Sequence, residues 1–176
     1  APLNAYFELE MKAAAKATGV DYEFRRIATA EDQYDFYLEM DKKWPETFII
    51  GGSSAWVHRD GTPADMNVEE GKFVRENVRH NPLFANEETV VRNGATAGTC
   101  VIWYDLGAQM ADKGMKILQG ANPGDIPWDY PRKYNLMFNI AMAKKIGLNI
   151  PANLLGAAYR VYTDFDGHYS GQKNCA

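Results

Sequence analysis

Thr47-Phe-Ile-Ile50 is short, continuously apolar and rich in β-branched residues, and Gly51-Gly-Ser-Ser54 follows it at once. A strand solvated on one face would alternate polar and apolar residues; a run apolar on both faces suits a strand buried between two layers, as parallel strands are. Runs of this kind alternate with stretches of helical spacing. From Asn67 to Arg79, Val68, Phe73, Val74 and Val78 fall on one side. Strands alternating with helices imply an α/β fold with an open, mostly parallel sheet flanked by helices.

The remaining segments fill in that pattern. Asn4 to Thr18 reads as a helix with Asn4 as N-cap and Gly19 just past its end. Asp21 to Ile27 alternates like a strand with one solvated face. Thr29-Ala-Glu-Asp32 places an acid three residues after a threonine, opening a helix to about Lys43 that Pro45 stops. Pro82-Leu-Phe-Ala85 and Thr99 to Tyr104 read as strands, and Asn86 to Val91 as the start of a short helix. Asp105 is expected to cap a helix through Leu118, with Leu106, Met110, Met115 and Leu118 as its core stripe. Tyr134 to Phe138 suggests a strand, Ile140 to Ile146 a helix and Pro151 to Val161 another. These boundaries give one α/β domain over residues 1–163 and a flexible C-terminal tail over 164–176, rich in Gly, Ser, Asn and Asp.

Composition removes several classes of function. At 176 residues and 46% hydrophobic, the chain has the length of one domain and enough apolar residues for a packed core. The net charge of −4, with no Lys/Arg cluster, argues against a nucleic-acid partner. No apolar run approaches the ~20 residues a membrane-crossing helix needs. Two cysteines, Cys100 and Cys175, are too few and too far apart for a disulfide framework or a zinc site. Cys100 reads as an inert buried thiol, and Cys175 as part of the tail or a cross-link between two chains. The chain opens at Ala1 without a Met or a basic leader, as a processed or truncated N-terminus would.

Ligands of open parallel sheets bind outside the carboxyl ends of the strands, and polar residues follow each strand here. Thr29 follows the first. Ser53 and Ser54, in the glycine-serine turn, offer backbone N–H groups to an anion, or serve as ordinary capping serines. Asn86 and Glu87, with Glu88, face an ammonium group, or the acids stabilise the first turn of a helix. Trp56 and Tyr104 stack on an aromatic or apolar ligand, or are plain core or rim aromatics. His58, His80 and His168 are widely spaced and read as surface residues. Asp60, Asp65 and Glu69 have the spacing of a solvated loop. There is no nucleophile elbow, no Cys/His pair, no coupled acid and base, no metal motif and no nucleotide fingerprint. The expectation is a chain with no catalytic residues and no cofactor.

From Pro82 to Val161 the sequence resembles the substrate-binding proteins of ABC transporters, of the uncharacterised and tryptophan/tyrosine type. The matching series runs in order: Pro82-Leu-Phe-Ala85 with Gly94-Ala95; Tyr104-Asp-Leu-Gly107 with Gln109 and Ala111; Ile117-Leu118, Gly120, Pro123 and Asp125-Ile-Pro127. Pro131, Lys133-Tyr134, Asn139, Ala143-Lys144, Gly147-Leu148, Ile150-Pro151 and Leu154-Leu155 complete it. The resemblance implies a periplasmic-binding-protein type I-like fold, of which this chain has the second lobe. Family members are two-lobed and roughly twice as long, holding the ligand between the lobes. It further implies a small organic solute such as an amino acid, a membrane permease as partner of the full-length protein, and a periplasmic or extracytoplasmic location. Serine stands at position 54, where the family commonly has an acid. A half-length chain also leaves a face for a possible homodimer, where the missing lobe would pack. The competing readings are an extracytoplasmic ligand-sensing domain of a signalling receptor and a small flavodoxin-like nucleotide-binding protein.

Overall fold

The computed structural model describes residues 2–51 and 57–171. Six strands form one sheet in sequence order: β1 (Ile49–Ile50), β2 (Leu83–Ala85), β3 (Ala97–Cys100), β4 (Asn135–Asn139), β5 (Arg160–Tyr162) and β6 (Tyr169–Ser170). The pairs β1–β2, β2–β3 and β4–β5 are parallel; β3–β4 and β5–β6 are antiparallel. The sheet is thus open and mostly parallel, as the strand–helix alternation predicts. Seven α-helices accompany it among the described residues: α1 (Pro2–Thr18), α2 (Ala30–Asp41), α3 (Met66–Asn77), α4 (Glu88–Asn93), α5 (Trp103–Leu118), α6 (Ile140–Lys145) and α7 (Ala152–Ala157).

Strand periodicity distributes the core over two faces. Met137 and Tyr162 join α2, α3 and α4 on one side, in a cluster with Tyr37, Val74, Leu83 and Val91. Their neighbours Phe138 and Val161 point the other way, to Ala97, Ala158 and Leu155 of α7. Asn139 is fully buried at the end of β4, where its Nδ2 donates to the Val91 carbonyl at 2.9 Å and its Oδ1 accepts from Met142 N. One side chain therefore caps α6 and pins the last turn of α4 to the sheet. Helices α3 and α4 touch backbone to backbone: a Cβ on Gly94 would lie 2.0 Å from the Gly71 carbonyl oxygen.

The capping box expected at Thr29 is present. Thr29 Oγ1 accepts from Asp32 N, and Thr29 N donates to the Asp32 carboxylate. Asp41 closes the other end of α2 by accepting from the backbone N–H groups of Arg79, His80 and Asn81 at 2.8–3.0 Å. Burial raises the Asp41 pKa, but the three donors outweigh it and hold the carboxyl below its usual value.

Four expectations are corrected. Residues 21–27 are not a strand. Arg25 reaches Glu39 on α2 and lies over the Phe36 ring, and Arg26 pairs with Glu8 on α1, so side chains anchor this stretch to helices instead of a ladder. Helix α5 starts at Trp103, which puts Asp105 inside the first turn and not at the cap; Met110, Met115 and Leu118 are exposed and form no core stripe. The stretch 151–161 divides into α7 and β5, because Ala158 leaves helical geometry after Ala157. Residues 164–171, expected within the tail, fold back as a turn and β6, with Thr163 N donating to the His168 carbonyl at 2.9 Å. Residues 172–176, including Cys175, lie outside the described residues.

Candidate functional site

Strands β1, β2 and β3 run parallel, and each is followed by a helix, so the starts of α3, α4 and α5 gather at the carboxyl edge of the sheet. Ser53, Ser54 and Trp56, expected after β1, lie outside the described residues. Asn86 and Glu87 follow β2 directly. Tyr104 lies in the first turn of α5 and is three-quarters exposed.

The two acids after β2, alike in the sequence, have different environments. Glu88 accepts from the Tyr162 hydroxyl at 2.6 Å and from Arg160, whose guanidinium is flanked by the Tyr159 and Tyr169 rings at 5.2 and 4.8 Å. That charge is neutralised within the fold. Glu87 is half-buried, and among the described residues its carboxylate has no hydrogen bond and no ion pair. Burial alone pushes its pKa up. Asn86 beside it is exposed. Behind this pair, Cys100 ends β3 as a fully buried free thiol, its pKa pushed up to about 12 by burial and then by Glu88 and Glu87.

Beneath the end of β1 lies a polar cluster that residue spacing gave no sign of. Glu70 of α3 is 4% exposed and accepts from the Tyr37 hydroxyl and from Gln33 Nε2, the latter at 2.9 Å. Burial raises its pKa to about 7 against the opposing effect of both donors. A Cβ on Gly51 would come within 3.0 Å of Glu70 Oε1, so glycine lets β1 end directly against this carboxyl.

The expectation that the histidines are surface residues holds for His80 and His168, whose side chains are 62% and 77% exposed, but not for His58. Its Nδ1 meets Glu31 at 2.9 Å and its Nε2 meets Glu69 at 3.1 Å. Next to it, Arg59 binds Asp32 and Asp35, both at 2.7 Å. These contacts tie the loop after β1 to the starts of α2 and α3. No single position in the sequence marks this clamp, since its acids come from two helices. Asp164, Asp166 and His168 bring ligand-type atoms within 4.8 Å of one another in an exposed turn, where they bond chiefly to each other. The edge therefore carries a half-buried carboxylate that is unpaired among the described residues, a buried acid of raised pKa beneath the end of β1 and an exposed ring at Tyr104.

Residues 51–162 match the model of the family described as ABC transporter substrate binding protein. The chain belongs to this family. Its fold recurs in solved structures: a conserved domain protein from Vibrio cholerae O1 biovar El Tor (TM-score 0.67, 20% identity) and an ABC domain in complex with L-Trp from a streptococcus (TM-score 0.65, 19% identity). A third is CD0873, a substrate binding protein with adhesive properties from Clostridium difficile, in a ligand-free, open structure (TM-score 0.62, 18% identity). They cover 91%, 89% and 85% of this chain, which in turn spans 51%, 51% and 48% of theirs. An uncharacterised protein of Rickettsia prowazekii (strain Madrid E) is 35% identical over 77 residues, 44% of this chain and 25% of its own length. Among the described residues no helix is long and apolar enough to cross a membrane.

Proposed function

We propose that this chain is the solute-binding component, or one lobe of it, of an ABC-type uptake system, and that it takes a small organic solute carrying an ammonium group, such as an amino acid. The reading places the chain outside the cytoplasm and gives it no chemical step; closure around the captured solute would present it to the permease. The observation that carries the reading is Glu87. A carboxylate partly withdrawn from water, unpaired among the described residues and placed at the carboxyl edge of a parallel sheet is stabilised by an incoming cation. Asn86 supplies a neighbouring polar group, and Tyr104 an exposed ring for an apolar side chain. The L-Trp bound by the streptococcal neighbour makes aromatic amino acids the first solutes to try.

Calorimetric titration with L-tryptophan and a panel of other L-amino acids tests this. The expected result is saturable binding that Glu87→Gln weakens roughly tenfold or more, a loss of about 1.4 kcal/mol. Affinity should also fall as pH drops through the raised Glu87 pKa, because the protonated acid no longer attracts an ammonium. Absence of binding to every amino acid, or binding indifferent to Glu87→Gln, would overturn the proposal.

A further inference from the structure

Glu88 and Arg160 meet at the edge of the sheet from elements far apart in the chain. Arg160 opens β5 and is the ladder partner of Met137 on β4; Met137 pairs with Gly98 on β3, and Gly98 with Ala85, the last residue of β2. One row across four strands thus sets Arg160 level with the turn that carries Asn86, Glu87 and Glu88. The guanidinium is held in place from several sides. The Tyr159 and Tyr169 rings flank it, and Tyr169 is itself the ladder partner of Tyr162. The Tyr162 hydroxyl donates to the same Glu88 oxygen, Oε1, that Arg160 Nη1 reaches. The two side chains are only 21% and 28% exposed, so the pair is fixed, unlike the mobile ion pairs of an open surface. Among the described residues Glu88 is the only acid that pairs with Arg160, and Arg160 the only cation that pairs with Glu88.

Consecutive residues stand about 3.8 Å apart along the chain, so Glu87 and Glu88 bring two carboxylates to one turn. Both are felt at Cys100, whose thiol they help to keep protonated. With Arg160 in place the turn keeps one net negative charge, at Glu87. At the start of α5, Asp105 is likewise matched, by Lys133 at 3.5 Å. We propose that Arg160 sets the charge selectivity of this edge: by cancelling Glu88 it leaves a place for one positive charge, and so restricts the solute to molecules with a single cationic group, rejecting diamines and the basic amino acids. The inference rests on Glu87 as the ammonium site and names the class of solute that this site takes. A monocation gains the attraction of Glu87. A second ammonium on the same solute finds no second free acid at this turn and meets the guanidinium instead, where like charges in a partly dry site repel. Amino acids with neutral side chains fit the pattern, since the guanidinium that repels a second ammonium attracts their carboxylate. Without Arg160 the turn would hold two unpaired carboxylates, which favour a dication.

Calorimetric titration at about pH 8, where carboxylates are ionised, tests this with L-tryptophan, L-norleucine and L-lysine as probes. Norleucine has the same unbranched stem as lysine and lacks the second ammonium. The expected result is that the parent chain binds the better neutral probe at least tenfold more tightly than lysine. Arg160→Met, which keeps an apolar stem but removes the charge, should lower that ratio roughly tenfold by admitting lysine. Arg160→Lys should retain most of the parent ratio. Combining Glu88→Gln with Arg160→Met removes both charges and should restore it, with far-UV circular dichroism unchanged throughout. That restoration is the readout a purely structural ion pair would not give, because the double variant breaks the pair as fully as the single one. A ratio that Arg160→Met leaves unchanged, or that the double variant does not restore, would overturn the inference, as would a parent chain that binds lysine as tightly as the neutral probes or binds neither neutral probe. The Glu87 reading falls separately, when no amino acid of the wider panel binds or when Glu87→Gln has no effect.

Discussion

His58 has a carboxylate at each ring nitrogen, Glu31 at Nδ1 and Glu69 at Nε2. A neutral imidazole has one N–H, so only the imidazolium donates to both. The hydrogen bond to Glu31 is the chief cause that raises the His58 pKa above 6.5, with further attraction from Glu69 and Asp60 and partial burial opposing. A raised histidine pKa stabilises the folded state at low pH, and that contribution is lost as pH rises through the folded value. The acids act in the opposite direction. Glu31 is held below 4.5 first by its own backbone N–H and then by His58 and Arg59, and Asp32 below 3.8 by Arg59 first. Their contribution is lost as pH falls through those lowered values. The clamp is therefore complete between about pH 4.5 and 6.5, the ordinary values of its acid and its base. In an NMR titration the His58 ring should ionise above 6.5, and the difference in melting temperature between the parent chain and His58→Gln should shrink as pH rises past that point. A ring titrating at or below 6.5 would refute the clamp.

At the scale of elements, α3 and α4 approach each other where glycines replace side chains. Gly94→Ala would put a methyl 2.0 Å from the Gly71 carbonyl oxygen, so the two helices would have to separate. Overpacking of this kind costs about 1–3 kcal/mol or more, and chemical denaturation should show a loss of at least that order; an unchanged midpoint would mean that the helices are not in contact. The elements that compete for one core were legible in the sequence. Continuously apolar Thr47–Ile50 and Pro82–Ala85 contain β1 and β2, and the Thr29–Asp32 cap marks the start of α2. Asp21–Ile27 misleads because alternation is a property of the segment, whereas a ladder needs a neighbour, and here arginines bind acids on α1 and α2 instead. The α5 stripe was read as core because periodicity gives the width of an apolar face and not what faces it. Within the site, Glu87 was legible as an acid after a strand. Its difference from Glu88 was not, because it depends on Arg160 and Tyr162, more than seventy residues further along.

For the molecule as a whole, cohesion is unevenly distributed. The sheet, α3 and α4 share the main buried cluster, while α5 is fastened chiefly by hydrogen bonds and ion pairs to segment 127–133. Hydrogen exchange read by mass spectrometry should accordingly show β3, β4 and α4 as the slowest peptides and α5 as faster; equal protection throughout would contradict this division. A last consequence concerns how the chain can change over evolutionary time. Cys100 and Asn135 are partners across β3 and β4, so directly paired residues of an antiparallel ladder, about 5 Å apart, bracket the whole excursion from 101 to 134. It begins and ends at one place, like a loop drawn on a closed circuit. Beyond the first turn of α5, which holds Tyr104 at the edge, its length and surface can be rewritten without moving either strand, so a lineage can vary this excursion while leaving the sheet in place.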